Sequence, residues 1–165
     1  MKLIPLSQGK FAKVDDQDYG RLIPLKWYAQ RTIRGTWYAK HSRRDGKGGF
    51  IHILMHRYLM GLDKGHPFVD HVNLDSLDNR RINLRVANGS ENMANRRAPA
   101  NNISGFKGVC WDSTEQKWRV SIMKNGIARR LGYFTSKIEA ANAYDDAAIE
   151  VFGEYSHLNF PFIYG

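Results

Sequence analysis

Hydrophobic and polar positions alternate most clearly between residues 106 and 134. FKGVCW (106–111), KWRVSIM (117–123) and IARRLGYF (127–134) read as three strands. Asn125-Gly126 between the last two marks a hairpin, because both central residues of a type I′ turn need positive φ. A two-residue turn fixes register: Ile122 opposite Arg129, Ser121 opposite Arg130, Val120 opposite Leu131 and Trp118 opposite Tyr133. One face then carries Trp118, Val120, Ile122 and Leu131. The other carries Lys117, Arg119, Ser121, Met123 and Arg130. Beyond residue 135 the period becomes helical. Ile138, Ala141, Tyr144, Ala148 and Val151 form a stripe able to cover the apolar sheet face. Ser136 and Glu139 form a capping box, Gly153 is the stop, and Glu139, Asp145, Asp146 and Glu150 make the opposite stripe acidic.

The first half patterns less cleanly. Residues 26–44 are aromatic and β-branched around Arg34-Gly35, 46–49 (GKGG) form a turn, 50–54 a strand and 55–62 a short helix. FVDHVN (68–73) and NLRVA (83–87) read as paired strands separated by LDSLDNRRI, and Ser90 as the cap of a helix over 91–97. RRAPANNISG (96–105) has the composition of a linker. These elements predict an α+β fold. Residues 1–97 form one region with its motif core at 52–97, 98–104 a linker, and 105–165 a three-stranded antiparallel sheet packed on one helix.

Charge narrows the partners. The 165 residues carry 25 Lys and Arg against 16 Asp and Glu, a net +9, which favours a polyanion. No apolar run reaches the roughly 20 residues of a spanning helix, so nucleic acid is expected rather than membrane. The N-terminus lacks a cleavage site, so no signal peptide is expected. One cysteine, Cys110, excludes a disulfide framework or a cysteine-rich zinc site and suits a reducing compartment. From 107 to 130 there are 6 basic and 2 acidic residues; from 131 to 165 there are 1 and 5. DNA would therefore meet the strands of this module and be repelled by its helix.

The densest polar stretch is VDHVNLDSLDNRRINLRVANGSENMANR (69–96), with six asparagines among four arginines. Asp70 and His71 end a β-branched run, and Asn92 falls in the first turn of the following helix. Phosphodiester hydrolysis needs a base, a hard cation and groups that hold the backbone. A His near pKa ~6.5 suits the first. A carboxylate and an amide oxygen, completed by water and phosphate, suit Mg²⁺. Arg80, Arg81, Arg85, Arg96 and Arg97 suit the third.

This segment resembles the HNH nuclease motif of phage and intron-encoded homing endonucleases, in the variant that ends in Asn. The resemblance implies a ββα-metal fold with one divalent ion, Mg²⁺ or alternatively Mn²⁺, and no small-molecule cofactor. It makes Asp70 and Asn92 metal ligands and His71 the general base, with Asn83 bracing the loop and orienting His71. It also implies double-stranded DNA as substrate, nicked or cut, and a phage-encoded protein acting in the cytoplasm of a bacterial host. GFKGVCW, KWRVSI, LGYF, EAANAYDDAA and HLNFP are similar to the plant ethylene-response-factor (Apetala-two type) DNA-binding domain. That likeness implies DNA contacts from Lys107, Trp111, Lys117, Arg119 and Arg130. Residues 1–48 carry only a looser likeness to the N-termini of such phage proteins.

Plainer readings stand beside these. His56 reads as a core or bracing residue, and His41, His52, His66 and His157 receive no role. Asp75, Asp78 and Asn79 read as loop formers, with Asp78 and Asn79 also able to buttress the site. Asn88-Gly89 reads as a turn. Trp118 reads as core, while Trp111 fits either a core edge or a DNA contact. The alternative to an enzyme is a non-catalytic DNA-binding regulator. One chain supplies one site and shows no dimerising helix, so a monomer is expected.

Overall fold

The computed structural model describes residues 1–62 and 67–161; His66 and residues 162–165 lie outside it. The chain is α+β and divides into two compact units, Met1–Ala87 and Asn88–Gly165. The division falls ahead of the helix that the sequence groups with the 52–97 motif.

The first unit begins with elements that short-range pattern did not signal. Strands β1 (Lys2–Pro5) and β2 (Phe11–Val14) pair antiparallel across a turn whose Gln8 and Gly9 both have positive φ. Helix α1 (Asp16–Leu22) follows. The aromatic stretch then forms β3 (Trp27–Arg31) and β4 (Trp37–Arg44), which with β5 (Phe50–Leu54) make an antiparallel sheet in the order β3-β4-β5. Helix α2 (Met55–Leu59) leads to the two-stranded pair β6 (Phe68–His71) and β7 (Leu84–Ala87). Ile4, Ala12, Val14, Leu22, Trp27, Ala39, Met55, Leu59 and Leu84 form one buried cluster. The Trp27 indole N–H meets the need of a buried donor by bonding the Leu22 carbonyl at 2.9 Å.

In the second unit, helix α3 (Gly89–Ala94) starts earlier than expected. Asn88, not Ser90, is the cap: its side chain accepts the Glu91 N–H, and the Glu91 carboxylate accepts the Asn88 N–H. Asn88-Gly89 is thus a helix start rather than a free turn. The Ser90 hydroxyl instead donates to Asn125 Oδ1 and accepts the Asn125 N–H. Strands β8 (Val109–Asp112), β9 (Lys117–Lys124) and β10 (Ile127–Phe134) form the antiparallel sheet β10-β9-β8. Asn125 and Gly126 both adopt positive φ, as the hairpin turn requires.

The expected register holds for Ile122 with Arg129 and Ser121 with Arg130, then slips. A bulge at Leu131 places Gly132 opposite Val120, Tyr133 opposite Arg119 and Phe134 opposite Trp118. The slip exchanges two rings. Phe134, without a hydroxyl to satisfy, packs on the core, and Tyr133 joins the polar face.

Helix α4 (Lys137–Phe152) begins with Ser136 Oγ accepting the Glu139 N–H and ends at Gly153, which has φ +53°. Its buried stripe is rotated from the expected one. Ala140, Ala141, Tyr144, Ala147, Ala148 and Phe152 are buried, whereas Ile138 is 46% exposed. Asp145 is not on the solvated acidic face. It is buried, and its carboxylate accepts the backbone N–H groups of Asn159 and Phe160, both at 2.8 Å, tying down the C-terminal segment.

Gly108 is where glycine is indispensable. Its φ is +77°, and a Cβ there would overlap the Tyr144 ring and crowd the Ser121 carbonyl. Gly108→Ala should therefore cost about 2–4 kcal/mol, left-handed strain and overpacking combined. A lowered denaturation midpoint at unchanged slope checks this.

Candidate active site

Asp70 and His71 end β6, and register sets them opposite Arg85 and Leu84 of β7. Both are buried. The His71 ring stands edge-to-face on His56, with centroids 4.9 Å apart, and Tyr38 of β4 flanks both rings at 5.5 and 6.2 Å. His71 Nε2 lies 3.5 Å from Asn79 Oδ1. Burial lowers the His71 pKa below the usual value, while the Asn79 bond and the charges of Asp70, Asp75 and Asp78 oppose the shift. Burial, then the proximity of His71 and Arg57, pushes His56 down to about 3. His56 is thus a neutral packing partner, and the imidazole it supports is disposed to be neutral at pH 7, the form a general base needs.

The loop between β6 and β7 has nearly every polar group assigned. Asn83 Nδ2 donates to the Asp78 carbonyl at 2.7 Å, Asn83 Oδ1 accepts the Asn73 N–H, and Asn83 O accepts the Val72 N–H. One amide therefore ties the loop's start to its end. Asp78 accepts from Asn73 Nδ2 and, through both oxygens, from Arg80, whose guanidinium holds the carboxyl below the usual range. From outside, the Lys13 N–H donates to Leu77 O and Lys13 O accepts the Asn79 N–H, each at 2.8 Å, a parallel bridge to β2. The Lys13 ammonium pairs with Asp75 at 3.0 Å, and the Ser76 hydroxyl donates to the Trp37 carbonyl. Asn79, whose Oδ1 lies 3.5 Å from His71 Nε2, is thus held by the N-terminal hairpin.

Three arginines expected at phosphates have carboxylate partners. Arg80 grips Asp78, Arg81 grips Asp18 through Nε and Nη2, and Arg85 places Nε and Nη2 on Oδ2 of Asp70 at 3.0 and 2.9 Å. Arg80 and Arg81 remain 36% and 43% exposed, but the Arg85 side chain is 12% exposed. Asp18, Lys13 and Tyr38 could not be assigned from the sequence, because each acts across a long separation and none belongs to a local motif.

Asp70 offers the hard oxygen donor that Mg²⁺ prefers, and one carboxylate completed by water and substrate phosphate is a normal shell for that ion. Among the described residues no three His, Cys, Asp or Glu side chains cluster to hold a metal. Asn92 lies half-buried on α3 of the second unit, and Arg96 and Arg97 are exposed just after it.

The second unit sorts its expected DNA contacts differently. Lys117, Arg119 and Arg130 lie exposed on one sheet face with Tyr133, and the Arg130 guanidinium sits 5.4 Å from the Tyr133 ring centroid. Arg119 is 3.6 Å from Asp112. Trp111 pairs in register with Trp118, on the side of Val120 and Ile122, and is a 46% exposed core edge. Lys107 turns inward: its ammonium donates to the Ala94 carbonyl, and burial lowers its pKa to about 8.

Comparison with known proteins gives partial likenesses. The chain is 28% identical to an uncharacterized HNH endonuclease of Acanthamoeba polyphaga mimivirus, over 95% of this chain and 79% of that protein. It is 34% identical to protein 3.8 of Escherichia phage T7, over 39% of this chain and 53% of that protein. It is 37% identical to dehydration-responsive element-binding protein 2A of Oryza sativa subsp. indica, over 41% of this chain and 25% of that protein. No family model and no solved structure matches. No helix among the described residues is long and apolar enough to cross a membrane.

Two outcomes are expected. Asn83→Ala leaves the Asn73 N–H and the Asp78 carbonyl without their partner and should cost about 2–3 kcal/mol, read by thermal denaturation. For His56, whose folded value is about 3, the unfolded chain takes up a proton near pH ~6.5 that the folded chain refuses. Stability is therefore full above that pH and falls as pH drops toward 3. Between pH 7 and 5, Tm should fall less steeply in His56→Phe than in the parent.

Proposed function

We propose that the chain is a divalent-metal-dependent DNA endonuclease of the HNH, ββα-metal class. Residues 1–97 would form the nuclease region, 98–104 a linker, and 105–165 a module that selects DNA through its sheet. The carrying observation is the Asp70-His71 pair at a strand end, its imidazole buried and buttressed by Asn79 on a loop closed by Asn83. The named activity of the mimivirus relative, similar over most of the chain, supports the same reading.

In this mechanism His71 accepts a proton from a water attacking the scissile phosphorus. The bond to the 3′ oxygen breaks and that oxygen takes a proton from solvent water, leaving a 5′-phosphate and a 3′-hydroxyl. Asp70 would hold the divalent ion, Mg²⁺ or Mn²⁺, whose charge offsets that building on the phosphorane and the departing oxygen when bound. Asn92 is assigned as a ligand by resemblance. Asn79 and Asn83 position His71. Lys117, Arg119 and Arg130 would hold DNA phosphates, with Arg96 and Arg97 as further contacts. The protein would act as a monomer in the cytoplasm of a phage-infected bacterium.

The second reading is a non-catalytic DNA-binding regulator, favoured by the cationic face of the β8–β10 sheet and by the rice relative's name. Plasmid relaxation separates the two. With Mg²⁺ or Mn²⁺ the parent should convert supercoiled DNA, and His71→Ala should lower the rate at least about a hundredfold. A parent that binds the plasmid yet leaves it supercoiled supports the regulator. Replacing Arg119 and Arg130 together by Ala should weaken DNA binding and flatten its salt dependence by about two phosphate contacts, read as the slope of log affinity on log salt.

A further inference from the structure

The Asp70–Arg85 pair differs from the other arginine–carboxylate pairs of the first unit. Arg80–Asp78 and Arg81–Asp18 keep their guanidinium groups at the surface. Asp70 and Arg85 are direct cross-strand partners, with side chains only 7% and 12% exposed, and two guanidinium donors converge on the single oxygen Oδ2. Breaking a buried, hydrogen-bonded ion pair is costly unless the charges gain new partners. A divalent cation brought to Asp70 while Arg85 remains in place meets a positive charge about one hydrogen bond away.

We propose that Arg85 is a latch that couples metal binding to DNA binding: it occupies Asp70 in the free protein and transfers to a substrate phosphate, releasing the carboxylate for the cation. A guanidinium suits both partners, because the same planar fork matches carboxylate and phosphate oxygens. The consequence of the exchange is reciprocal: DNA tightens the metal, and the metal tightens DNA by the same factor. Arg85 is then a positioning residue acting through Asp70. The inference rests on the assignment of Asp70 as metal ligand and goes further by giving the order of loading.

The test is Mn²⁺ affinity, measured by electron paramagnetic resonance on the full chain carrying His71→Ala, so that added duplex DNA is not cut. Without DNA, Arg85→Gln should bind Mn²⁺ about tenfold more tightly than the Arg85 background. Duplex DNA should tighten Mn²⁺ binding in the Arg85 background by a similar factor and leave Arg85→Gln nearly unchanged. Adding Asp70→Asn to Arg85→Gln should remove the tight binding. If Arg85→Gln binds Mn²⁺ no more tightly than its background, yet loses that binding with Asp70→Asn, the latch is wrong and the metal assignment stands. If Asp70→Asn changes nothing, the assignment and the latch fall together. Should Arg85→Gln not fold, Arg85→Lys must show a smaller shift in the same direction, and no shift overturns the latch.

Discussion

The first unit depends on one side-chain amide. Asn83 donates to the Asp78 carbonyl and accepts from Asn73, so the twelve-residue connection between β6 and β7 becomes a closed ring of bonds rather than a floppy excursion. Everything attached to that ring inherits its rigidity: Asn79 against His71, Asp78 against Arg80, and Ser76 on the Trp37 carbonyl. A buried loop of this polarity is tolerable only because its donors and acceptors are paired, and a partly paired network would cost more than an apolar one. The neutrality of the two packed imidazoles follows from the same enclosure, since burial is the largest cause of both shifts.

In the second unit an equivalent constraint is exercised by shape. Gly108 lets β8 begin flush against the Tyr144 ring, and the alanine-rich stripe of α4 lets the helix lie close to Val109, Val120 and Ile122. With the inner face sealed by small residues, the outer face is free to carry Lys117, Arg119, Arg130 and Tyr133. The cationic character of that face is thus a by-product of where the helix packs.

Much of this was legible in the chain. Alternation and the Asn-Gly turn located the three C-terminal strands, and the β6–β7 pair stood out from its β-branched runs. The role given to Asn83 came from a resemblance; its side chain donates to the Asp78 carbonyl and accepts the Asn73 N–H. What escaped had physical causes. A bulge at Leu131 leaves no mark on a two-residue period, so Tyr133 and Phe134 were exchanged. A helix of alanines presents several equivalent stripes, so burial of Asp145 and exposure of Ile138 were decided by the C-terminal segment that Asp145 captures. Arg81, 63 positions from Asp18, and Lys13, 62 from Asp75, meet partners no local window can see. Charge alone gave no sign of the carboxylates that Arg80, Arg81 and Arg85 meet in the fold.

The bridge between Lys13 and the 77–79 backbone has a consequence beyond positioning. A two-stranded hairpin presents bare amide edges, and such edges invite strands from other molecules. By donating to Leu77 and accepting from Asn79, Lys13 gives the middle of β2's outer edge to the protein's own loop. The loop therefore serves as a guard rail against association through that edge, and any change that loosens it exposes an adhesive surface at the same moment that it disorders the site.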